Sequence, residues 1–305
     1  MGGKDRSARQ GTLMSYSIAD SFRLRMLHHL AGLSSFASSW SDWSSSILSA
    51  IGSPPSGSSL FNLGDQLSNI FRSRSVGVRS NAAVSQGGTA WEGLICWYLN
   101  LVFWRTDVVV LRPHSEYLPE VIKDALSVSI QNVSTNTESD LVAVSIPTGN
   151  QLGDADVHVI NQILLSNARH ASVCVIQCKT NWNDNSQIPM LWDLIYNSTN
   201  FRVPNVSVGR NGMSPASFMR FAYAFVTVPT SRGAFSPSSL PVLRVRGLTG
   251  GNFWGHASRG GVAKSVNEFF TTNFPATFGG SVQAHIQNSV ISSPDILKKF
   301  LTLTF

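Results

Sequence analysis

The stretch from residue 153 to 196, GDADVHVINQILLSNARHASVCVIQCKTNWNDNSQIPMLWDLIY, limits the possible folds more than any other. Asp154 and Asp156 stand at the mouth of an apolar alternating run, Val157, Val159 and Ile160. After a polar connection comes a second apolar run, residues 173–176, ending in Gln177, Cys178 and Lys179. Alternation and β-branched content predict both runs to be strands. Side chains at i and i+2 share a strand face, so Gln177 and Lys179 point the same way. If the two strands pair, Asp156 faces the same spot, and a carboxylate, an amide and an ammonium converge where the strands splay.

That trio suits metal-assisted phosphodiester hydrolysis. A hard cation such as Mg2+ takes oxygen ligands, few of them from protein. Once bound it polarises a phosphate and makes a water nucleophilic. Asp156 would supply the charged ligand, Gln177 a neutral one and the Cys178 carbonyl a third. A nearby lysine offsets charge that develops on the phosphate.

An Asp, then about twenty residues, then Gln-x-Lys at a strand end resembles the PD-(D/E)xK nuclease superfamily. More narrowly, it resembles type II restriction endonucleases with Gln at the second acidic position. The resemblance implies an α/β fold, a mixed central sheet flanked by helices in a restriction-endonuclease-like core. It implies catalytic roles for Asp156, Gln177 and Lys179, with Mg2+ as cofactor, double-stranded DNA as substrate and a homodimer matched to a two-fold site. Two departures stand out. Ala155 replaces the proline of the motif, and Asp154, on the same face, is an alternative ligand. Asp140, at the start of a predicted strand over TESDLVAVSIP, ranks third because its spacing to Gln177 is longer than expected. A helix before the first core strand often carries a Glu that reaches the metal in this family, a role that falls on Glu92 and is favoured over plain stabilisation of the helix N-terminus.

The rest of the chain frames this core. Residues 1–85 read as a helical, serine-rich N-terminal region, and residues 86–305 as the nuclease core with C-terminal recognition strands, loops and helices. Apolar spacing predicts one or two amphipathic helices over 13–50, with a serine loop at 34–39. SPPSGSS is a break, and 61–71 a short helix. Thr89 is the predicted N-cap of a helix carrying Trp91 and Trp97 into the core. DVVVL and FAYAFVTVP read as strands, as does LPVLRVRGLTGG, which would put Arg244 and Arg246 on one face. Helices are predicted over 117–126, 262–274 and 281–301.

Several polar groups fit DNA contacts as well as plain loops. Asn181, Asn183, Asn185 and Gln187 leave the catalytic strand where a duplex would pass, and their amides suit adenine or phosphate. Arg210, Arg244, Arg246 and Asn252 lie in glycine-bearing or strand segments able to hold phosphate or read guanine. Arg72, Arg74 and Arg79 form a basic cluster that is either a solvated loop or a phosphate grip.

Composition sets limits. The 305 residues are ample for a buried core, and the net charge of +6 favours a polyanionic partner, although only 13% of residues are charged. Three cysteines in apolar contexts argue against a disulfide framework and structural zinc, and fit a reducing, cytoplasmic setting. No signal pattern is read at the N-terminus, and the apolar run over 94–104 is too short to cross a bilayer, so no membrane role is expected. Two other readings remain: a repair or junction-resolving nuclease with the same core, and a non-catalytic DNA-binding protein in which Gln177 is a relic. A basic β-rich scaffold is the third and remotest.

Overall fold

The computed structural model describes residues 16–73, 81–113, 116–135, 139–149, 151–179, 195–196, 206–227, 236, 238–240, 242–243, 251–253 and 265–305. They form a mixed α/β structure organised by one sheet in the order β1-β4-β5-β7-β8. Its strands are β1 (Val108–Leu111), β4 (Leu141–Ser145), β5 (Ser172–Lys179), β7 (Arg220–Thr227) and β8 (Gly251–Phe253). β1 and β4 pair antiparallel, as do β4 and β5, whereas β5–β7 and β7–β8 are parallel. A smaller antiparallel sheet, β3-β2-β6, joins β2 (Val128–Ile130), β3 (Val133–Thr135) and β6 (Val206–Val208).

Both faces of the main sheet are covered, which is why β1 and β4 are apolar at nearly every position. Alternation divides their residues between two cores. Val108, Leu141, Ala143, Cys174, Ile176 and Cys178 face one, packed by α2 (Ser34–Ile51), α3 (Gly57–Ser73), α4 (Asn81–Val102) and the C-terminal helices. Val109, Val142, Val144, Val173 and Val175 face the other, under α1 (Ile18–Ala31), α5 (Glu120–Leu126) and α6 (Val157–Asn167). The C-terminal helices are α7 (Val266–Asn273), α8 (Val282–Ile286), which runs into a π-helical turn (Gln287–Ile291), and α9 (Pro294–Thr302). The boundary expected at residue 85 falls inside α4, and α2, α3, α4 and α7 share one core. Among the described residues, no helix is long and apolar enough to cross a membrane.

Four expectations are corrected. The run at 157–160 is the start of α6, not a strand. Ile160 and Leu164 are its buried side chains, four residues apart, and Asp156 caps the helix by accepting from Val159 N at 2.9 Å. β4 therefore pairs directly with β5, and no strand carries Asp156 alongside Gln177. The serine loop at 34–39 is also helical. Phe36, Trp40, Trp43 and Ile47 make a buried stripe, while the hydroxyls of Ser38, Ser39, Ser41 and Ser44 bond back to carbonyls three or four residues earlier. α2 approaches α4 closely at Gly93, where a Cβ would lie 2.5 Å from the Phe36 ring. Thirdly, α4 starts at Asn81, so Thr89 lies inside it rather than at its cap. The strand expected over 240–251 is interrupted: Leu240, Val242 and Leu243 are helical, and β8 begins at Gly251.

Candidate active site

The antiparallel register of β4 and β5 pairs Leu141 with Ile176, so Asp140, one residue upstream, comes level with Gln177. Asp140 Oδ2 accepts from Gln177 Nε2 at 2.5 Å and from Cys178 N at 2.7 Å. Gln177 is fully buried. Its Oε1 accepts from the Tyr223 hydroxyl, on β7, at 3.3 Å. Lys179 is the half-buried last residue of β5 and, by alternation, shares the face of Gln177. An acid, an amide and an amine thus occupy one end of adjacent strands, with Asp140 as the acid.

Cys178 points to the opposite face, into the core beneath α4. Burial pushes its thiol well above the usual range, and the Asp140 and Glu92 carboxylates push it further, against a smaller opposing pull from Lys179. All three charged groups therefore lie within electrostatic reach of one sulfur atom. Burial also pushes the Cys96 and Cys174 thiols up to about 12. Thiols held protonated in this way are poor nucleophiles. Glu92 projects from α4 and pairs with Arg112, just past the end of β1, at 3.2 Å in a partly buried contact. Glu92 lies at the Asp140 end of the sheet, on the Cys178 face rather than that of Gln177 and Lys179.

The two aspartates favoured from sequence are committed elsewhere. Asp156 is spent on capping α6. Asp154 accepts from Ser21 Oγ at 2.6 Å and from both Nε and NH2 of Arg25. The Arg25 hydrogen bond, then that of Ser21, lowers its carboxyl to about 2. Both follow β4, whose C-terminal end lies beside the start of β5, where Val144 pairs with Val173. Lys179 is six residues further along β5, about 20 Å of extended chain.

Among the recognition residues, Arg210 is tied to Asp124 at 2.5 Å, and Asn211 joins the same carboxylate at 3.0 Å, which makes this a turn-stabilising contact. Asn252 sits in β8 opposite Phe225. Arg72 bonds Asn69 within α3. Asn181, Asn183, Asn185, Gln187, Arg244 and Arg246, with Arg74 and Arg79, lie outside the described residues. A cleft of about 190 Å³ lies at the other end of the sheet, bordered by Asp107, His170, Arg220 and Asn273, away from Lys179.

Nothing local in the sequence marks Tyr223, and the spacing of Asp140 to Gln177 puts it below its rivals. The signal for Asp140 was present: an acid immediately before an unbroken apolar strand, LVAVS, that needs a paired neighbour. Tyr223 had no such signal, because only parallel pairing with β7 brings it to Gln177.

Among the described residues, no three His, Cys, Asp or Glu side chains converge as a metal cluster. What the site offers is one carboxylate, one amide and the peptide group between Gln177 and Lys179. Such a hard, oxygen-bearing set is of the kind Mg2+ accepts, although the Gln177 oxygen here faces Tyr223 and its NH2 faces Asp140. It does not match zinc, which selects nitrogen and sulfur. A scan of protein-family models returns no match to the chain, and the search of curated proteins likewise finds none similar to it.

Proposed function

We propose that this chain is a Mg2+-dependent nuclease that hydrolyses phosphodiester bonds in double-stranded DNA, and more narrowly a type II restriction endonuclease. The observation that carries the reading is the contact of Asp140 with Gln177, two residues before Lys179, at one end of adjacent strands. The order of elements supports it. A helix bearing Glu92 precedes three antiparallel strands, and a fourth, parallel strand follows beyond Lys179, with helices on both faces. A mixed central sheet with helices on both faces is what the resemblance to the PD-(D/E)xK superfamily implies. The positive net charge suits a DNA partner.

Asp140, the Gln177 carbonyl oxygen and the Cys178 peptide carbonyl would hold the ion. When bound, it supplies Lewis acidity and a more acidic water. Lys179 provides a donor and a positive charge beside the scissile phosphate. It holds the incipient hydroxide and offsets the charge that builds as water adds to phosphorus and the leaving oxygen departs. The Cys178 N–H fixes the orientation of Asp140, and the Gln177 N–H does so in the ion-free protein. A homodimer would place two such sites on the two strands of a palindrome.

One observation favours the non-catalytic reading. Gln177 is wholly buried with both ends of its amide engaged, as a structural residue would be. Incubation of purified protein with plasmid and phage DNA plus Mg2+ separates the readings. A restriction enzyme gives discrete bands, a repair or junction nuclease gives nicks or branch-dependent cuts, and a DNA-binding relic gives salt-sensitive binding without cleavage. Asp140→Asn and Lys179→Met should abolish cutting and leave DNA binding, while Asp156→Ala should cut normally. Undiminished cutting by either of the first two variants would refute the site.

A further inference from the structure

The buried amide of Gln177 has its direction set by its neighbours. A carboxylate only accepts hydrogen bonds, so the end facing Asp140 must be Nε2, as observed. The far end must then be Oε1, and the residue that meets it must donate. Tyr223 does so. Its hydroxyl differs from a lysine or an amide N–H in being donor and acceptor at once.

We infer that Tyr223 is a positioning residue that lets the Gln177 carboxamide turn end for end, offering N–H to Asp140 in the ion-free protein and its carbonyl oxygen to a divalent cation at Asp140. The inference rests on the metal-site reading above. A cation beside Asp140 reverses the local polarity and favours oxygen where Nε2 now lies. The turned amide then points Nε2 at the Tyr223 oxygen, whose lone pairs accept it. The far end of the carboxamide keeps a partner in either state, a condition a fully buried amide must meet, and the hydroxyl proton turns away from it when the amide turns.

The ring is well placed to hold the hydroxyl still. Tyr223 is 1% exposed and stands opposite Val175 in the parallel β5–β7 register. Tyr196 packs against it with ring centroids 6.4 Å apart, and is itself fixed by a hydroxyl bond to the Leu126 carbonyl at 2.9 Å. Tyr196 also lies 5.4 Å from the Phe221 ring, two residues along β7. The hydroxyl can rotate its proton while the ring stays in place.

The test reads the side chain directly. In 15N-labelled full-length protein, the Gln177 side-chain NH2 signals, assigned by their loss in Gln177→Met, should move on titration with Mg2+. Calorimetry without DNA should show Tyr223→Phe binding Mg2+ about three- to tenfold more weakly, because the turned NH2 then lacks an acceptor and a buried N–H tolerates that less well than a carbonyl does. A merely structural tyrosine would lower the melting temperature of ion-free protein and leave Mg2+ affinity unchanged, which would overturn the inference. Saturation with Mg2+ that leaves the Gln177 NH2 signals of the wild type unmoved would overturn it without any variant, and would leave the active-site reading standing. If the wild type binds no Mg2+ in this assay, both fail.

Discussion

Replacing Asp140 separates its structural from its chemical role. Oδ2 accepts from a fully buried amide nitrogen and from the backbone N–H of Cys178. Asp140→Ala leaves two donors without that acceptor. Each buried donor left unsatisfied costs about 1–3 kcal/mol, so the loss should be about 2–6 kcal/mol. Asp140→Asn keeps an oxygen in place and turns two charge-assisted bonds into neutral ones, which are roughly half as strong. Its loss should be nearer about 2 kcal/mol. Urea denaturation monitored by far-ultraviolet circular dichroism measures both, and the Mg2+-dependent plasmid assay runs on the same samples. The expected pattern is an Asn variant that is folded but inactive, and an Ala variant that is markedly less stable. An Ala variant as stable as wild type would refute the hydrogen-bond reasoning. An Asn variant with full cleavage would refute the catalytic assignment.

Other outcomes follow from the same geometry. Asp156→Ala should cost about 1 kcal/mol, the usual value of a lost helix N-cap, and leave any cleavage intact in the plasmid assay. Asp154 is lowered by Arg25 first, so its contribution is present above the unfolded aspartate value near about 3.9 and is lost as pH falls toward about 2. In Arg25→Ala the Asp154 carboxyl, followed by NMR titration, should rise toward the ordinary value; an unchanged midpoint would contradict the pairing. Phe300→Ala should cost about 3–5 kcal/mol in thermal or urea unfolding. Phe300 is wholly buried against Trp104, and its carbonyl accepts from Trp97 Nε1 at 3.0 Å, so it fixes α9 to α4.

Read from sequence, the placement of Gln177 and Lys179 at the end of β5 was legible. Gln177 and Lys179 are two residues apart on an apolar β-branched run, and local periodicity alone puts them on one face at a strand end. β1, β4, β5 and β7 were legible for the same reason: long apolar runs buried on both sides have few other places to go. Two local signals misled. In α6, Val157 and Val159 alternate like a strand, while the helical spacing of Ile160 and Leu164 and the cap from Asp156 decide the outcome. In α2, serine content suggested a loop, yet back-bonded hydroxyls and a tryptophan-bearing stripe make a helix.

What the chain determined by itself was a juxtaposition: an amide and an amine presented together where a strand ends. Which acid meets them was decided only in three dimensions. Distance along the chain favoured Asp156 over Asp140, but antiparallel pairing brings the beginning of β4 to the finish of β5 irrespective of the α6 residues inserted between them. Tyr223 reaches Gln177 through a parallel neighbour 46 residues downstream, a contact that depends on strand order and register rather than on any local pattern.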